Sequence, residues 1–76
     1  MIEFQMNLSS INDVMDFVFT VSRFDFDVDL ISGRYIVVAK SIMGIFSLDL
    51  SKTIDVQIHA EDASEFMSQI DSFIVK

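Results

Sequence analysis

Apolar and polar residues alternate from Met1 to Leu8. Ile2, Phe4, Met6 and Leu8 fall on one side, and Glu3, Gln5 and Asn7 on the other. That period of two predicts a half-buried strand. Ser9-Ser10 interrupts it. Ser10 followed three residues later by Asp13 makes a capping-box-like helix start, with Asp shorter than the preferred Glu. Beyond it the period changes: Ile11, Val14, Phe17, Val18, Val21 and Phe24 recur at helical spacing. Asp13 and Asp16 in the first turns and Arg23 in the last suit the helix dipole. The β-branched residues lower helix propensity, so this helix must draw its stability from packing.

Alternation returns at Asp25 to Asp29. A strand through Val28 and Leu30, a turn at Ser32-Gly33-Arg34 and a strand from Tyr35 to Ala39 read as a hairpin, because the glycine suits the turn. Ser41 then stands before a very apolar segment, Ile42 to Leu48, which reads as a short helix with a serine cap. Ile45 and Leu48 are the residues expected to face inward. Asp49 to Thr53 is polar enough for a loop. Thr53 to Ala60 alternates again, with Ile54, Val56 and Ile58 inward and Asp55, Gln57 and His59 outward. Asp62-Ala63-Ser64-Glu65 is a second capping-box-like start, and Phe66, Ile70, Phe73 and Ile74 line one face of a closing helix.

The order β-α-β-β-α-β-α predicts an α+β open-faced sandwich: a four-stranded antiparallel sheet with three helices on one face. Glu3, Asp27, Asp29 and Asp55 share the wet face, and so do Ile36 and Val38. Tyr35 to Ala39 therefore reads as an apolar edge strand and a site for weak homodimerisation of an otherwise monomeric protein.

Length and charge narrow the function. Seventy-six residues make a single domain, 1–76, with no room for a second core. No run reaches the roughly 20 apolar residues that cross a bilayer. Glu3 stands where a secretory signal carries positive charge. There is no cysteine, so neither a disulfide framework nor a thiolate metal site is available, and a cytoplasmic protein is expected. The net charge of −7 repels nucleic-acid backbones and anionic membranes and favours a protein partner with a basic patch.

The element order, with Lys40-Ser41-Ile42-Met43-Gly44 after the third strand, resembles HPr, the small phosphocarrier of the bacterial sugar phosphotransferase system. The likeness continues through Ile45-Phe46-Ser47-Leu48 and the strand ending Ile58-His59-Ala60-Glu61, and it covers nearly the whole chain. The resemblance implies a histidine at the start of the first helix, within Gly-Ile-His-Ala-Arg-Pro, that accepts phosphate from Enzyme I. Here Ser10 occupies the place of the His, Asn12 that of the Arg and Asp13 that of the Pro. A serine hydroxyl without a base is a poor acceptor, and Asp13 repels an incoming phosphoryl group. No catalytic residue is therefore expected, and the protein is not expected to be an enzyme.

Ser41 matches the family's regulatory serine. The resemblance implies a serine kinase that modifies it and a transcriptional regulator of carbon catabolite repression that reads it. Ile42, Met43 and Phe46, with Lys40 beside them, become the implied docking surface. The catabolite-repression HPr-like proteins share this logic, lacking the carrier His and keeping the serine. Beside these roles stand plainer ones. Ser41 serves equally as an N-cap, and Ile42, Met43 and Phe46 as core.

Other candidates are weaker. His59, the only histidine, lies on the wet face near a strand end, with Asp55 two residues back as a poor metal partner. Asp25, Asp27 and Asp29 share one face of an extended segment but lack the glycine and terminal Glu of a calcium loop. No cofactor or metal is expected. The rival readings are a residual phosphocarrier using His59 or Ser10, and a binding module that homodimerises without phosphorylation.

Overall fold

The alternating segments pair into one antiparallel sheet, and the periodic ones cover one face of it. The computed structural model describes residues 1–75. In chain order it contains β1 (Ile2–Met6), α1 (Ile11–Val21), β2 (Val28–Ser32), β3 (Tyr35–Val38), α2 (Ile42–Phe46), β4 (Ile54–Ile58) and α3 (Ser64–Gln69), followed by a 3-10 turn at Asp71–Phe73. The strands lie in the order β1-β4-β2-β3. This is the expected α+β sandwich.

Register explains the core. Phe4 pairs with Val56 and Met6 with Ile54, while Leu30 pairs with Val56 and Val28 with Ile58. Inward side chains thus form continuous apolar rows across three strands. Val14, Phe17 and Val21 of α1, Ile45 of α2 and Phe66 of α3 pack onto those rows, all fully buried. The aromatic residues add a cluster in which the Phe66 ring lies 5.3 Å from Phe24 and 6.0 Å from Phe17. The hairpin turns through Gly33, whose φ of 61° is the left-handed conformation that glycine tolerates. Gly44 has a different reason. A Cβ there would lie 3.3 Å from the Val37 Cβ, so the missing side chain lets α2 settle against β3.

Four expectations need correction. The first strand stops at Met6, although Leu8 is still buried. The first helix stops at Val21, leaving Arg23 outside its last turn and Phe24 stacked on Phe26 instead of extending the helical stripe. Ile11 is exposed rather than buried. The closing helix ends at Gln69. Its start is set not by Asp62 as cap but by Ala63, while the Asp62 carboxylate accepts hydrogen bonds from the Ser64 backbone and hydroxyl. Phe73 and Ile74 lie beyond the helix. Ile74 forms a bridge to Met6, Asn7 N–H donates to the Phe73 carbonyl at 2.9 Å, and Val75 N–H donates to the Gln5 carbonyl at 2.9 Å. The tail therefore covers the outer edge of β1. No described segment pairs with the outer edge of β3.

Candidate functional site

The N-termini of α1 and α2 are both capped by serine, unlike that of α3. Ser10 adopts an extended backbone, and its hydroxyl accepts from Asp13 N–H at 3.1 Å. The expected reciprocal bond is displaced by one residue. The Asp13 carboxylate reaches the Ser9 N–H at 3.0 Å and the Ser9 hydroxyl at 2.9 Å. Those bonds, the Ser9 backbone first, hold the Asp13 carboxyl below the usual carboxylate range. The start of α1 is thus already occupied by an anion that belongs to the chain.

Ser41 repeats the cap without the acid. Its hydroxyl accepts from Gly44 N–H at 3.1 Å, and the first turn of α2 has no acidic residue. Ser41 is exposed. The five-residue helix that follows divides its side chains sharply. Ile45 is fully buried and Leu48 nearly so, whereas Met43 is 77% exposed and Phe46 41%. Ile42 is half-buried. Burial of Ile45 therefore holds α2 in place while Met43 and Phe46 stand out from it.

Lys40 does not join that surface. Its ammonium turns back and donates to the Phe24 carbonyl at 2.7 Å, partly buried. It ties the segment after α1 to the start of α2, which removes it from the expected set of free contacts.

A further apolar stripe, which the helical pattern had hidden, runs along α1. Ile11, Met15 and Phe19 recur every four residues and are all exposed, Phe19 by 70%. Met15, Val18 and Phe19 line a shallow groove with Ile42, closed at one end by Ser22 and Arg23. The Arg23 guanidinium sits 5.5 Å over the Phe19 ring and donates to the Gln69 side chain. Ile42 thus joins the α1 stripe to the start of α2. The spacing of Ile11, Met15 and Phe19 was the available signal. It competed with the buried stripe Val14, Phe17 and Val21, which obeys the same period.

On the other face of the molecule, the His59 Nε2 lies 2.8 Å from an Asp29 carboxylate oxygen. The partner is on the neighbouring strand β2, not at Asp55 on the same strand. Asp27 and Val38 border the same shallow depression. No cluster of three or more acidic or histidine ligands that could hold a metal ion occurs among the described residues, Asp25, Asp27 and Asp29 included. No helix there is long and apolar enough to cross a membrane.

Comparison with known proteins fits this architecture. The family model for the PTS HPr component phosphorylation site matches residues 12–76. The chain belongs to the HPr family of the phosphotransferase system, whose members interact with other proteins of that system. Ser10 lies just outside the matched span. The chain is similar in structure to HPr-C-His of Thermoanaerobacter tengcongensis, with 25% identity, a TM-score of 0.78, and coverage of 95% of this chain and 89% of that one. The phosphocarrier protein HPr of Bacillus anthracis str. Ames shares the fold at 24% identity and a TM-score of 0.74, over 97% of this chain and 96% of that one. A histidine-containing phosphocarrier protein of Mycoplasma also shares it, at 18% identity and a TM-score of 0.74, over 93% and 89% of the two chains. No curated relative matches the chain.

Proposed function

We propose that this HPr-family protein does not relay phosphate and acts as a cytoplasmic docking protein, read by protein partners through Ser41 and the apolar surface beside it. The carrying observation is the split along α2. Met43 and Phe46 stand exposed next to an exposed Ser41, while Ile45 holds the helix down. An apolar surface displayed this way suits a protein partner. The exposed stripe Ile11, Met15 and Phe19 extends it along α1. Modification of Ser41 by a serine kinase adds about −1.5 to −2 charges where the first turn carries no acid. A transcriptional regulator of carbon metabolism is the partner class that the family resemblance favours. In this reading the protein is not an enzyme and needs no cofactor.

Loss of the relay is supported at Ser10. The residue there is a hydroxyl engaged as a cap, and the Asp13 carboxylate already takes up the neighbouring donors. The rival acceptor, His59, has an imidazole oriented by Asp29. Asp27 and Asp29 beside it repel a phosphoryl group, so the residual-carrier reading gains little there.

The test is a pair of phosphorylation reactions followed by peptide mass spectrometry. With phosphoenolpyruvate and Enzyme I the protein is expected to stay unmodified. With ATP and an HPr serine kinase it is expected to gain one phosphate, on Ser41. Label on His59 or Ser10 in the first reaction overturns the loss of the relay. An unmodified Ser41 in the second removes phosphorylation from the proposal and leaves unmodified docking.

A further inference from the structure

The two edges of the sheet are treated differently. The outer edge of β1 is covered by Phe73 to Val75. The outer edge of β3 is open, and the strand Tyr35-Ile36-Val37-Val38 carries no charge, proline or bulge of the kind that normally blocks edge pairing. Ala39 N–H donates to the Val28 carbonyl at 2.8 Å. By alternation, Val37 and Tyr35 also direct their backbone groups to β2, and Ile36 and Val38 direct theirs outward. The Val38 carbonyl already accepts from Ser41 N–H at 3.0 Å. Ile36 is left as the residue with both groups turned outward.

We infer that β3 pairs antiparallel with β3 of a second copy, on a two-fold axis at Ile36. In that register the two Ile36 residues exchange both backbone hydrogen bonds, and each Tyr35 lies across from Val37 of the second copy. On the open face, Ile31 pairs with Ile36 inside each chain. The join therefore makes an unbroken row of four isoleucines across two sheets. Ile36 is 69% exposed in the single chain and Val38 56%, so both have area to bury.

Charge agrees with this occupant despite the net −7. No acid occurs between Ser32 and Leu48. Strand spacing of about 4.8 Å sets the two Asp29 carboxylates roughly 20 Å apart, beyond the Debye length of about 8 Å at physiological salt. The same register brings Arg34 opposite Val38 of the second copy. Val38 is the residue that pairs with Asp29, so Arg34 lies two strand spacings, roughly 10 Å, from that opposite charge. Both distances exceed the screening length, so charge does not oppose the join despite the acidic balance of the chain. The interface is small, so the dimer is weak.

Sedimentation velocity on the full chain from about 10 µM to 1 mM tests this, across the range of weak association. Concentration-dependent dimerisation is expected, and Ile36→Lys or Val38→Lys should each raise the dissociation constant at least tenfold. Both sites are exposed in the monomer, and circular dichroism checks that the variants fold. Amide exchange reads the register: the Ile36 N–H should slow with concentration while Val37, already bonded to β2, does not change. A chain that stays monomeric at 1 mM overturns the inference. So does a dimer that survives both lysine variants, or one dissociated by Met43→Lys but not by Ile36→Lys, because the copies then meet elsewhere.

Discussion

Ser10 and Ser41 make the same local structure and leave different surfaces behind. Each caps a helix from an extended backbone, and each accepts from the N–H three residues on at 3.1 Å. At α1 the Asp13 carboxylate sits beside the cap and accepts from the N–H and hydroxyl of the preceding Ser9. At α2 no acid follows. A cap stabilises a helix whichever residues surround it. Whether the helix start can also take a phosphoryl group depends on whether the protein has already placed an anion there.

The largest expected difference between the two sites is in phosphoryl transfer. Ser41→Ala should abolish modification by the serine kinase, and Ser10→Ala should leave it unchanged, as read by intact-protein mass. The triple variant S10H/N12R/D13P restores the family's acceptor residues and should gain label from Enzyme I. The S10H/N12R variant, which retains Asp13, should gain far less. Equal labelling of the two variants breaks the claim that Asp13 blocks the α1 site.

Stability should separate the two faces of α2. Ile45→Ala removes a fully buried side chain and should cost about 2–5 kcal/mol in chemical denaturation. Met43→Ala should stay within about 0.5 kcal/mol, as for an exposed site. A large loss at Met43 would mean that it is core and not a docking residue. The caps themselves come next. Ser10→Ala should cost about 1 kcal/mol and lower the Tm by roughly 4–8 °C for a chain of this size. Ser41→Ala should cost less, since α2 has five residues against eleven in α1.

The smallest effect is the pH dependence of Asp13. Its folded pKa lies below the ordinary 3.8 because of the Ser9 hydrogen bonds. The unfolded chain therefore binds the proton at higher pH than the folded one. The contribution of Asp13 is fully present above pH 3.8 and is lost as pH falls through the lower folded value. Asp13→Asn should flatten that part of the stability profile in acid denaturation. A parallel loss in both proteins would show that the Ser9 bonds do not bias folding.

The chain's alternation specified more of the fold than of the site. Ile54, Val56 and Ile58 are inward as their period requires, and Ile45 and Leu48 are the buried residues of the Ser41 segment. The Phe73–Ile74 stretch misled because its spacing continues the α3 stripe. Instead the Phe73 carbonyl accepts from Asn7 N–H and the following Val75 N–H donates to the Gln5 carbonyl, partners almost seventy residues away that no local pattern marks. The partners of Lys40 and His59 were hidden for the same reason. Their contacts, the Phe24 carbonyl and Asp29, come from other elements.

The amino-acid sequence by itself determined the element order, the inward face of each strand, the two serine caps and the absence of a histidine at the α1 start. Those follow from periodicity and from residue chemistry read within a few positions. Only the tertiary structure decided which of two equivalent stripes on α1 is buried, that Lys40 is engaged while Met43 is free, and that the tail covers one sheet edge and leaves the other open. Burial and long-range hydrogen bonding arise only when distant segments meet. The sequence supplies the faces, and packing chooses which of them remain on display.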